Sequence, residues 1–282
     1  MKKIGFLLFS LVFIANSFAQ KTKEGHTNQN KFRQLKQELP TPNLERTASG
    51  APGKSYTQQK VDYVMDIVLD DEKSRITGSE TITYHNNSRD ELGYLWLQLD
   101  QNMRAADSKT PDIQPSKVPS KLSKSRFERA YPETAFDGGF KIMSVTNNDG
   151  TKLSHTINQT MMRINLPKPL ASGDTFIFKI KWWYNINNHR TQGGRSGYEL
   201  FEENGNKNYV IAQFFPRLCV YDNVEGWQNE QFWGRSEFAL EFGDYTVNIT
   251  TPDDHMLGAT GILKNEKEVL SRKEIKRLAA AR

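Results

Sequence analysis

The side chains able to do chemistry are few and scattered. Five histidines, His26, His85, His155, His189 and His255, stand far apart, and none is followed by glutamate. A zinc-hydrolase helix needs H-E-x-x-H, which sets two imidazoles on one face with a base between them. That spacing is absent, so the histidines read as surface or strand residues. Gly194-Arg195-Ser196-Gly197 approaches the G-x-S-x-G turn that exposes a nucleophilic serine, but Tyr198 stands where the last glycine belongs. A flexible loop accounts for it. Glu199, Glu202, Glu203, Asp222 and Glu225 could pair for glycoside hydrolysis, a chemistry that needs a set carboxylate separation. Most such pairs are simply solvated. Trp96, Trp182, Trp183, Trp227 and Trp233 could stack on sugars, yet in a β domain without disulfides they are expected in the core or at an interface. Cys219 is the only cysteine. It reads as a small buried hydrophobe.

Such residues need a scaffold, and composition bounds it. The chain has 282 residues and a formal net charge of +5. Two lysines open the chain, and the tail from Lys264 holds seven basic and three acidic residues. Residues 20–263 are therefore near −1. A nucleic-acid surface needs a basic patch on the folded body, so nucleic acid is excluded as a partner. Lys2 and Lys3 precede an apolar run over 4–15, and Ser17-Phe18-Ala19 offers small residues for cleavage before Gln20. Residues 1–19 thus read as a secretory signal, sending the protein to the periplasm or outside the cell. A run of about a dozen is too short for a membrane span, which takes about 20.

Beyond the leader, residues 20–55 read as a polar, extended lead-in with a short helix possible over 31–38. Residues 56–263 read as one β domain. Val61, Tyr63, Met65, Ile67 and Leu69 alternate along one strand face, and 76–84 returns as its hairpin partner. Further strands are expected at 94–99, 140–145, 161–166, 176–184, 209–215, 237–242 and 245–251. The Trp182-Trp183 pair makes 176–184 apolar on both faces and places it centrally. Residues 104–137 and 187–207 read as loops. In the tail (264–282), Ser271 and Glu274 form a capping box for a short C-terminal helix. The expected class is all-β, with mainly antiparallel sheets in a β-sandwich or strongly curved arrangement.

One ordered series of blocks is more specific. It runs Ala212-Gln213-Phe214-Phe215-Pro216-Arg217, Val220-Tyr221-Asp222, Gly226-Trp227, Glu237-Phe238 and Phe242-Gly243-Asp244-Tyr245. Thr251-Pro252-Asp253 and Gly258-Ala259-Thr260-Gly261 follow. Glu38-Leu39-Pro40-Thr41-Pro42-Asn43, Gly78-Ser79-Glu80-Thr81-Ile82 and Leu95-Trp96-Leu97-Gln98-Leu99-Asp100 precede it. The series resembles the N-terminal domain of the aminopeptidase N-like zinc metallopeptidases (gluzincins), in an exported bacterial branch.

That resemblance implies a saddle of curved β-sheets ahead of a separate catalytic domain, which holds the zinc and is missing from this chain. No cofactor is then expected on the chain itself, and zinc is expected in the full-length enzyme. The expected partners are a peptide substrate and the catalytic domain. In the family a T-Q-x-E motif sets a glutamine, and in many members a glutamate, near the substrate's amino terminus. The glutamine maps onto Gln213, whereas Phe215 occupies the glutamate position and cannot pair with an ammonium. Read on its own, Gln213 serves equally as a polar strand-end residue bonding a loop. Two other readings are a free-standing β-sandwich module binding glycans or peptides, and an exported glycosidase.

Overall fold

The computed structural model describes residues 42–47, 49–113, 120–130, 136–236 and 238–281. The leader and the helix expected over 31–38 lie outside them. The chain divides into two compact units between Tyr56 and Thr57. In the first, Asn43 Oδ1 accepts the Glu45 and Arg46 N–H groups at 2.8 Å, and Arg46 bridges Pro52. The segment 42–56 turns back on itself rather than running extended.

The second unit is mostly β. Its first strands are β1 (Lys60–Asp70), β2 (Arg75–His85), β3 (Leu92–Gln98), β4 (Lys141–Asn147) and β5 (His155–Asn158). Next come β6 (Met161–Leu170), β7 (Thr175–Asn185), β8 (Gly197–Phe201) and β9 (Asn206–Val210). Four short pieces complete the set, β10 (Arg217–Leu218), β11 (Tyr221–Asp222), β12 (Gly226–Trp227), which pairs with β11, and β13 (Tyr245–Thr250). A 3₁₀ helix (Asp100–Arg104) follows β3 almost directly.

One sheet runs β13-β1-β2-β7-β4 and a second runs β10-β3-β6-β5. Pairing is antiparallel except between β1 and β13, which are parallel. No barrel closes. Alternation explains the packing. β1 buries Val61, Tyr63, Met65 and Ile67, β7 buries Phe178, Ile180, Trp182 and Tyr184, and β3 answers with Leu95 and Leu97. Side chains from both sheets merge in a single core. β7 is central, as its paired tryptophans indicate, and Trp182 is fully buried. Gly78 lies opposite Trp182 in the ladder, and a Cβ there would strike the indole ring. The residue must be glycine for the ring to lie flat on β2.

Four expectations are corrected. The supposed loop 187–207 contains β8 and the first two residues of β9, a hairpin whose polar composition (Glu199, Asn206, Lys207, Asn208) hides its strand character. The strand expected over 209–215 ends at Val210, and Gln213 further on adopts a left-handed backbone with φ 53°. Residues 238–242 form no strand. They make one bridge to each sheet, Leu240 to Cys219 and Phe242 to Lys60, in passing from one to the other. Gly243 permits this crossing, since a Cβ would collide with the Val61 carbonyl. The stretch 104–137 also holds two short helices, Thr110–Ile113 and Lys124–Ala130. The capping box is formed as expected: Ser271 Oγ accepts the Glu274 N–H at 3.3 Å, and Glu274 accepts the Ser271 N–H at 2.8 Å. It opens the helix Arg272–Ala281.

Candidate functional site

The segment carrying Gln213 is held from three sides. Trp182 donates its indole N–H to the Phe214 carbonyl at 3.1 Å, tying the segment to the core of the first sheet. Gln101, 1% exposed in the 3₁₀ helix, donates Nε2 to the Ala212 and Gln213 carbonyls at 3.1 and 3.0 Å. Gln213 Nε2 in turn donates to Asp100 Oδ1 at 3.3 Å. The left-handed turn at Gln213 lets both carbonyls converge on one amide group. A non-glycine residue in that region costs of order 1 kcal/mol or more.

Asp100 is the centre of the arrangement. Its side chain is 1% exposed, and Arg217 grips it bidentately, Nε to Oδ2 at 2.8 Å and Nη2 to Oδ1 at 2.7 Å. Burial raises the Asp100 carboxyl above its ordinary range, and the Arg217 guanidinium opposes that rise. Arg217 Nη2 also reaches Gln98 Oε1 at 3.4 Å. Charges so deep must be paired and hydrogen-bonded to persist. This pair is both.

Phe215 belongs to an aromatic group. Its ring meets Tyr63 edge-on at 5.4 Å and Tyr245 at 6.3 Å, while Tyr63 and Tyr245 stack at 5.0 Å. The Tyr63 hydroxyl accepts the Leu218 N–H at 3.0 Å. Glu80 lies within electrostatic reach of both tyrosines, 2% exposed, with neither oxygen hydrogen-bonded. Burial drives its pKa well upward. Phe215 is a packing residue in this group.

His26 lies outside the described residues, and the remaining sequence candidates within them stay apart. His85 Nε2 bonds Asp62 at 3.0 Å, His155 bonds the Leu153 carbonyl and His255 bonds Asp254. Among the described residues, no three His, Cys, Asp or Glu side chains gather in a set able to hold a metal ion. Zinc therefore has no fitting cage within them. Cys219 is buried against Met161, with sulfur atoms 3.9 Å apart, and burial pushes its thiol up to about 12. Glu199 pairs with Arg190. Trp182 is buried and the other four tryptophans are half-buried. Asp100, Gln101, Arg104 and Arg217 had no assigned role in the sequence. The one available signal was the unbroken polar run from Asp100 to Asn102, directly after an apolar strand.

No protein-family model matches the chain, and no curated protein does. Solved structures do. An M1 zinc metallopeptidase mutant from Deinococcus radiodurans, bound to a Tyr-Ser-Ala substrate, is 14% identical with TM-score 0.39. The match covers 74% of this chain and 36% of that one. The M1 zinc metallopeptidase from the same organism is 13% identical with TM-score 0.39, over 76% of this chain and 37% of that one. The chain thus spans little more than a third of the length of these structures. No described helix is long and apolar enough to cross a membrane.

Proposed function

We propose that this chain is the N-terminal, non-catalytic domain of an exported zinc aminopeptidase-like metallopeptidase, and that it walls one side of the peptide cleft. The observation carrying this reading is an apolar layer that runs off the edge of the first sheet. In register, Tyr63, Met65 and Ile67 pair with Tyr245, Val247 and Ile249 of β13, and so share a face. The first three are buried, yet their neighbours on β13 are 46%, 37% and 36% exposed. Phe242, Met256, Leu257, Ile262 and Leu263 are also exposed close by in sequence. An edge strand showing a row of apolar side chains calls for a covering partner. A free-standing binding module has no use for one.

The resemblance of the ordered motif series from Glu38 to Gly261 supports a zinc-bearing catalytic domain as that partner, where water would be activated for attack on a peptide carbonyl. The residues here would bind and orient. Gln101, Asp100 and Arg217 fix the Gln213 segment, and a rigid wall of this kind lets binding energy position the peptide. The leader over 1–19 supports export.

The experiment is to purify the chain, measure bound metal, and assay aminoacyl-anilide substrates and hydrophobic-dye binding. The expected result is no stoichiometric zinc, no turnover, and dye binding that falls when Val247→Lys and Ile249→Lys are introduced. Stoichiometric zinc accompanied by turnover, or a chain that binds no dye, overturns the reading.

A further inference from the structure

The 3₁₀ helix Asp100–Arg104 carries a charged residue at each end, and the two are treated differently. Asp100 has its counter-charge in Arg217. Arg104 has none: among the described residues no carboxylate pairs with it. Its guanidinium makes one hydrogen bond, from Nη1 to Gln101 Oε1 at 3.2 Å. The side chain is nonetheless partly buried, and burial depresses its pKa. A cation partly withdrawn from water without an anion is costly, and an arriving carboxylate removes that cost.

The surroundings hold the guanidinium in place. Gly138 donates its N–H to the Arg104 carbonyl at 2.9 Å, and a Cβ on Gly138 would lie 3.2 Å from Arg104 Cβ. Gly194, with φ 97°, lies so close to Nη2 that a Cβ there would overlap it. Gln101 is locked by the carbonyls of Ala212 and Gln213. The Tyr184 hydroxyl is a second, independent indication. Its side chain is 1% exposed, it has no hydrogen-bond partner, and it lies within electrostatic reach of Arg104. A fixed guanidinium fork and an unused hydroxyl donor suit one planar anion.

We propose that Arg104, with the Tyr184 hydroxyl, forms a carboxylate-binding subsite beside the Gln213 segment. That the carboxylate belongs to a peptide rests on the proposed function above; anion binding itself does not. With Phe215 in place of a carboxylate and Asp100 neutralised by Arg217, the charge left facing a ligand here is positive. The subsite selects an acidic side chain or a free carboxyl terminus, and not an ammonium.

Titration calorimetry on the purified chain tests this with three probes. N-acetylglutamine carries only the terminal carboxylate, the α-amide of N-acetylglutamate carries only the side-chain carboxylate, and N-acetylglutaminamide carries neither. At least one carboxylate probe should bind, and the tighter of the two identifies the source. Arg104→Gln should weaken it about tenfold or more, the worth of a charge-assisted pair, and Tyr184→Phe should weaken it by a smaller factor. Circular dichroism and melting confirm that the variants fold. Should Arg104→Gln fail to fold, Arg104→Lys, which keeps the charge and loses the fork, carries the same expectation. Equal binding of N-acetylglutaminamide, no binding of either carboxylate probe, or undiminished affinity in the folded variants overturns the subsite. Carboxylate binding lost with Arg104, in a protein whose full-length form cleaves no peptide, would sink the peptidase reading alone.

Discussion

Trp182 and Phe214 are joined by a single hydrogen bond, indole N–H to carbonyl at 3.1 Å, between a fully buried strand residue and the segment that bears Gln213. The geometry of the candidate site is therefore set by the core. Trp182→Phe removes the donor and part of the ring volume together. It should lower stability by about 2–4 kcal/mol, from the cavity and the orphaned carbonyl. Urea unfolding measures this, and a loss below half a kcal/mol would show that the bond does not anchor the segment.

Gly78→Ala probes the same contact from the opposite strand. The new methyl group must displace the Trp182 ring, and overpacking of this kind costs about 1–3 kcal/mol. Combined with Trp182→Phe, the cost of the alanine should shrink, because the obstructing part of the indole is gone. Strictly additive losses would contradict the contact.

The Asp100–Arg217 pair should behave as a unit. Arg217→Met alone leaves a buried carboxylate without its partner and should cost about 3–5 kcal/mol, while Asp100→Leu with Arg217→Met should recover much of it. A double-mutant cycle in denaturant gives the coupling. A coupling near zero would mean that the pair contributes nothing beyond its shape.

Glu80→Met removes a buried carboxyl that has no hydrogen bond and fills the space with an apolar chain of similar length. Stability should rise by about 1–3 kcal/mol, the usual cost of an unsatisfied buried polar group. A fall of that size would mean that the carboxyl has a partner essential to the fold.

Glu241 supplies a pH dependence. It is 6% exposed, its Oε1 accepts the Tyr221 N–H at 3.0 Å, and burial lifts its pKa from 4.5 to about 7. Folding thus tightens its hold on the proton. The resulting stability is complete below the unfolded value, near pH 4.5, and is lost as pH rises through about 7. The slope approaches about 1.4 kcal/mol per pH unit. Glu241→Gln cannot ionise, so relative to the parent it should gain roughly 2–3 kcal/mol between pH 5 and pH 8. Equal differences at the two pH values would rule this out.

Much of the fold was legible wherever burial alternates. Val61 to Ile67 and Ile76 to Tyr84 bury every second residue, and their hairpin was readable from that period alone. β5 was not, because all four of its residues are exposed and no period marks it. Nor was the start of β9, where Asn206, Lys207 and Asn208 show no apolar period. Leu240 and Phe242 showed apolar spacing typical of a strand, yet each bridges a different sheet, a relationship no local pattern encodes. At the site, Gln213 and Phe215 could be named from their motif. The partners that give them meaning, Gln101 and Asp100, lie more than a hundred residues earlier and meet them only through folding.

The lone thiol has a practical corollary. Cys219 is 3% exposed and its proton is held to about pH 12, so almost none of it is thiolate at neutral pH and alkylating reagents cannot reach it. Its labelling rate is therefore a clock for opening of the protein between β10 and the 238–242 crossing. Any treatment that loosens this seam, whether denaturant or the loss of a covering domain, becomes countable as mass added at one sulfur atom.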